Sequence, residues 1–222
     1  MCGRFTLTLS LNDIQERFSI QATTITDYQP DYNVSPGTAI AAIISDGTKN
    51  RLGTLKWGLV PFWADDPKIG YKMINARSET APTKNSFKRP LQQQRCIIPA
   101  DSFYEWTTEK GKKQPYRIYL KDQKAFGLAG LWEKWEGDRD TLYTCTILTT
   151  AANTFMKKLH DRMPIILTQE RESLWLDPSI QDTDTIQACM TAVDGDRMTA
   201  YPVSTDVNSP NNQGATLIEP IY

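Results

Sequence analysis

Short strand-like runs dominate this chain and restrict the folds open to it. They lie at about 2–8, 38–45, 51–58, 94–99, 114–120, 125–132, 141–149, 163–167 and 196–203, several joined by turns such as DGTKN and EKGKK. Helical patterns are fewer. They are LNDIQERF after Ser10, with Asp13 at capping-box spacing; SFKRPLQQQ around 86–94, interrupted by Pro90; NTFMKKLH after Ala152; TQERESLWL; and TDTIQACMTA. Strands that do not alternate regularly with helices argue against a doubly wound parallel sheet. They predict an α+β fold with a largely antiparallel, barrel-like sheet and peripheral helices. No linker, repeat or charge block divides the 222 residues, so a single domain over 1–222 is expected.

Composition removes several classes of function. With 25 basic and 26 acidic residues the net charge is −1, so an anionic partner must be held by a local patch and not by bulk charge. The longest apolar runs, such as AIAAII at 39–44, fall far short of the ~20 residues of a membrane span. The first residues lack the basic and apolar regions of a signal peptide, so a cytoplasmic protein with no membrane partner is expected. Four cysteines, at 2, 96, 145 and 189, show no C-x-x-C spacing and stand with a single histidine, His160. Neither a zinc site nor a disulfide framework is expected, and no cofactor. Cys145 in TLYTCTIL and Cys189 in IQACMTA fit core patterns; Cys2 alone lies outside any such pattern.

The chain opens MCGRF. Met1 is commonly trimmed before a small residue, which leaves Cys2 with an α-amine and a thiol on adjacent carbons. Their reference pKa values, about 7.7–8.0 and about 8.5, give each a usable reactive fraction at neutral pH. An incidental small residue at a disordered terminus is the plainer reading of the same stretch.

Four other stretches carry chemistry-bearing residues. NARSET at 75–80 gathers an amide, a guanidinium, a hydroxyl and a carboxylate, and on its own reads as a surface loop. In DSFYEWTT at 101–108, alternation puts Phe103 and Glu105 on one strand face and Tyr104 and Trp106 on the other. A carboxylate on an aromatic face is either solvated or held in a partly apolar site suited to proton transfer. KKLHDRMP at 157–164 ends a helical pattern, so His160 is expected to feel a helix C-terminus, which favours its protonated form. WGLVPFWADD at 57–66 clusters Trp57, Phe62 and Trp63; aromatic faces beside arginines suit single-stranded nucleic acid.

MCGRF, YNVSPGT at 32–38, WGLVPFWA at 57–64, INARSET at 74–80, RCIIPADSFYEW at 95–106, GLW at 130–132, LTTAAN, HDRMP at 160–164 and NNQGATLI follow one another in order. Together they resemble the SRAP family, named for SOS response-associated peptidase, whose members crosslink to abasic sites in single-stranded DNA. The resemblance implies one α+β domain with a positively charged cleft, and Cys2 as the residue that reacts with DNA once Met1 is lost. It assigns Glu105 and His160 to forming and reopening the link and Asn75 to orienting the terminal amine. Arg4, Arg77 and Arg162 would bind flanking phosphates, and Pro36 and Trp63 would form a wedge at a single-to-double-strand junction. Where some relatives follow that tryptophan with a second aromatic, this chain has Ala64. The implied partner is single-stranded DNA containing abasic sites, bound by a monomer associated with the nucleoid. Lyase chemistry on the abasic strand belongs to the same expectation. Two other readings of the residues stay open: a thiol hydrolase or peptidase with Cys2 as N-terminal nucleophile, and a non-covalent single-strand-binding module.

Overall fold

A computed structural model describes residues 2–109, 111–138 and 140–221, so Met1 and part of the EKGKK turn lie outside the described residues. The chain runs through β1 (Phe5–Leu7), α1 (Leu11–Arg17), β2 (Ile20–Thr23), β3 (Asp31–Val34), β4 (Ala39–Ser45) and β5 (Asn50–Trp57). After a 3-10 turn at Pro67–Lys72 come β6 (Asn75–Arg77), α2 (Asn85–Gln93), β7 (Arg95–Ala100), β8 (Ser102–Glu109) and β9 (Lys112–Leu120). A long hairpin follows, β10 (Phe126–Glu136) and β11 (Thr141–Ala151), then β12 (Arg162–Pro164) and β13 (Ile166–Leu167). The remaining elements are α3 (Gln169–Leu176), α4 (Thr183–Cys189) and β14 (Met198–Pro202).

One sheet has the order β14-β9-β8-β1-β3. The other runs β12-β11-β10-β7-β4-β5-β2, with β13 beside β10 and β6 beside β11. Because β5 also pairs in parallel with β11, through Thr144↔Lys56 and Cys145↔Trp57, strands β4, β5, β11, β10 and β7 close a ring. The expected α+β, barrel-like fold is found. Pairing is antiparallel except for β2–β5, β5–β11 and β6–β11.

Side-chain alternation sorts the ring strands into two apolar clusters. Cys96, Ile98, Leu128, Cys145 and Ile147 pack with Phe5, Phe103 and Ile118 of the five-stranded sheet. Their neighbours Ile97, Ala129, Leu131 and Leu148 pack with Ile14 of α1, Trp175 of α3 and Ile186 of α4. All six residues of β7 are therefore buried, which is why RCIIPA reads as a continuous apolar run and not as an alternating one.

The helices follow their local signals with two exceptions. At α1 the Ser10 hydroxyl accepts from the Asp13 N–H at 3.1 Å and the Asp13 carboxylate accepts from the Ser10 N–H at 3.3 Å, a complete capping box. α2, expected to break at Pro90, continues through it to Gln93 because Pro90 and Leu91 are buried, and packing outweighs the lost backbone bond. NTFMKKLH forms only a 3-10 turn at Met156–Lys158, capped by Asn153 Oδ1 accepting the Met156 N–H at 2.9 Å. The helix dipole expected to act on His160 is therefore absent. NARSET is also not a loop: its first three residues form β6, paired with Ile147, Leu148 and Thr149 of β11. Among the described residues no helix is long and apolar enough to cross a membrane.

Candidate active site

Cys2 is not part of a disordered end. It is fully buried in the cluster that holds Phe5, Trp57, Phe103, Cys145 and Ile147. Burial first, and then the nearby negative charge of Glu105, push its thiol well above the ordinary range, although the Arg4 N–H donates to the sulfur. The usable thiolate fraction expected at neutral pH is thus lost: an apolar site favours the uncharged S–H.

Glu105 is buried on β8, opposite Tyr116 of β9. The alternation read from DSFYEW holds. Phe103 faces the Cys2 cluster, whereas Tyr104 and Trp106 share the opposite cluster with ring centroids 6.5 Å apart. A carboxylate is thereby carried into the apolar cluster beside Cys2 by strand geometry alone.

Asn75 and Arg77 arrive on β6. The Asn75 Nδ2 donates to the carbonyl of Ile74 at 3.0 Å and, at 3.5 Å, to that of Ile147, while its buried Oδ1 has no partner among the described residues. Arg77, beyond Ala76 on the same ladder, is exposed opposite Thr149. Arg162 arrives from the other side of β11, on β12 opposite Ala151. Its guanidinium donates to both carboxylate oxygens of Glu79, at 2.5 and 3.0 Å, and to the Thr149 carbonyl at 2.7 Å. Its Nε–H is buried and unpartnered among the described residues. His160 precedes β12, and its Nδ1 accepts the Arg162 N–H at 2.9 Å. That bond orients the ring.

Arg4 makes its contacts elsewhere. Its Nη1 donates to Asn33 Oδ1 at 2.6 Å and to the Val207 carbonyl at 2.8 Å, and its guanidinium lies 6.0 Å from the Trp106 ring centre. These are contacts on the Trp106 side of β8, not the Glu105 side. Pro36 sits in the turn where the Gly37 N–H donates to the Trp57 carbonyl at 2.8 Å, and Gly37 has φ +88°. Of the WGLVPFW aromatics, Trp57 is core, with its indole N–H donating to the Ile74 carbonyl at 2.8 Å, while Phe62 and Trp63 are exposed. Ala64 is buried against Trp135 and Val60, so a second aromatic at that position would meet packed core.

The geometry adds residues that no sequence pattern singled out. Glu79 ties NARSET to HDRMP through Arg162, and Thr149 of LTTAAN accepts from the same guanidinium. Both lay within quoted motifs, but their pairing needs β6 and β12 to flank β11, which is a long-range fact.

β6 and β12 thus bring Asn75, Arg77 and Arg162 to the C-terminal half of β11, and Cys2 packs in the same cluster as Ile147 of that strand. The chain belongs to the SRAP family: the family model, SOS response associated peptidase, matches residues 1–210. It is 54% identical over 222 residues to the abasic site processing protein YoqW of Bacillus subtilis, covering 99% of each chain. It is 32% identical to the abasic site processing protein YedK of Escherichia coli, covering 100% of each. A crystal structure of a protein from Bacteroides thetaiotaomicron superposes with a TM-score of 0.90 at 28% identity, over the full length of both chains.

Proposed function

We propose that this protein, as one domain, senses and shields abasic sites in single-stranded DNA by forming a covalent thiazolidine through Cys2 after removal of Met1. The observation that carries this reading is the place of Cys2, fully buried in the apolar cluster beside the buried Glu105 carboxylate. A neutral thiol is poorly suited to act as a hydrolase's first nucleophile, which weighs against the peptidase reading. Adding second, to an imine carbon already held by its own amine, asks less of it. In the proposed sequence the freed α-amine attacks the aldehyde carbon of the ring-opened deoxyribose, and the carbinolamine loses water to give an imine. The S–H then adds across C=N: sulfur bonds to carbon, the proton ends on nitrogen, and a five-membered ring closes. Ring closure is intramolecular and gains from effective molarity. Glu105 and His160 move the protons of dehydration and reversal, and the amide oxygen of Asn75 accepts from the amine. Arg77 and Arg162 hold flanking phosphates, with Arg4 supporting them from the Trp106 side; Pro36 and Trp63 meet the junction between single strand and duplex. The same imine is the entry to strand cleavage of the lyase type. The names of the relatives, abasic site processing proteins, support the substrate.

Incubation with an abasic oligonucleotide followed by a denaturing gel tests the proposal. The processed protein should give a shifted band that Cys2→Ala abolishes with single-strand affinity nearly unchanged. Cys2→Ser, which closes the ring poorly, should leave only an adduct trapped by borohydride. A stable band with Cys2→Ala would rule out the thiazolidine.

A further inference from the structure

The loop that follows β5 holds two adjacent aromatic side chains in solvent, Phe62 at 54% and Trp63 at 48% exposure. They form one wall of a groove of about 490 Å³ whose other wall is α2. From α2 the groove receives two cations, Lys88 and Arg89, and three amides, Asn85, Gln92 and Gln93, and among the described residues no carboxylate lines it. With the Arg89 charge met by Glu133, Lys88 supplies the net positive charge of the groove beside the exposed rings.

The groove is also pre-arranged. The Arg89 guanidinium lies over the Phe62 ring, 5.0 Å from its centroid. Arg89 is fixed in turn by the buried Glu133 carboxylate, to which its Nη1 donates at 2.9 and 3.2 Å. The loop is anchored at its far side by the Trp135 indole N–H, which donates to the Ala64 carbonyl at 2.7 Å. An aromatic face held before its ligand arrives loses little side-chain freedom on binding. Every nucleobase offers a π-face to such a ring, a phosphate suits the Lys88 ammonium, and amides suit base edges.

We infer that this groove is a track for single-stranded DNA flanking the reacted position, with a base stacked on Phe62, its phosphate on Lys88 and base edges against Gln92 and Gln93. The inference rests on the function proposed above and extends the strand's path beyond the Cys2 site. It is tested with unmodified single strands of ~5 and ~16 nucleotides, lengths that bracket a short and an extended footprint. Wild type should bind the longer strand more tightly. Phe62→Ala should weaken the longer strand about fivefold or more and leave its salt dependence alone. Lys88→Gln should lower the salt slope by roughly 0.7. Both variants should crosslink an abasic ~5-mer as wild type does, which shows that they are folded. Unchanged long-strand binding in both variants, or equal losses at both lengths, would overturn the groove while the abasic reading stands. A wild-type protein that binds no single strand and crosslinks no abasic site would overturn both.

Discussion

Arg162 and Glu79 show how single residues set this site. The guanidinium is shared between a carboxylate and the Thr149 carbonyl, so a DNA phosphate reaching Arg162 must compete with Glu79. That hydrogen-bonded pairing also holds the Glu79 carboxyl below the usual carboxylate range. Glu79→Gln should therefore raise non-covalent affinity for a single strand about two- to fivefold, the scale of one partly exposed ion pair, since Thr149 still orients the guanidinium. Titration of labelled single strand at fixed salt checks this; weaker binding would make Glu79 a positioning residue instead. Arg77, exposed on the same ladder, is a simpler case. Arg77→Ala should weaken every base sequence about equally and lower the salt slope by roughly 0.7, as read from binding at several salt concentrations.

Among the elements, the segment between β5 and β6 connects fold to site. Gly58 has φ +131°, and a Cβ there would lie 2.7 Å from the Gly70 carbonyl oxygen. That close backbone crossing holds the loop bearing Phe62 and Trp63 against the segment leading into Asn75. Gly58→Ala combines a strained φ with a backbone clash and should cost on the order of 2–3 kcal/mol in urea unfolding. It should also reduce the abasic crosslink rate, whereas Gly111→Ala, with φ +79° but open space around it, should leave that rate unchanged. What was legible in the sequence follows the range of each interaction. The capping box at Ser10 and the alternation that sets Glu105 on the face of Phe103 depend on neighbours within a few residues, and both were readable. β6 was not, because three residues of NARSET become a strand only through β11, some seventy residues away. The helix expected before His160 failed for the converse reason: its residues favour a helix, but Asn153 caps a tight turn and the chain then enters β12.

For the whole molecule, the buried thiols predict how stability responds to alkali. Cys2, Cys96 and Cys145 are fully buried, and burial raises all three above the ordinary thiol range. Below about pH 8.5 the thiols are protonated in folded and unfolded chains alike and full stability is present. Above it the unfolded chain ionises while the folded chain does not, so each thiol removes about 1.4 kcal/mol per pH unit until its folded pKa is reached. Urea midpoints should therefore fall between about pH 8.5 and 10, and Cys145→Val should make the decline shallower by about one proton. A flat profile would mean that the thiols are not desolvated. The proposed covalent chemistry is tested most directly by the intact mass of the adduct between an abasic single strand and two forms of the protein, one starting at Cys2 and one extended ahead of Met1. The form starting at Cys2 should add the strand's mass less one water, stable without borohydride, and the extended form should add nothing. Equal adducts from both forms would show that the amine takes no part and would contradict the aminothiol mechanism.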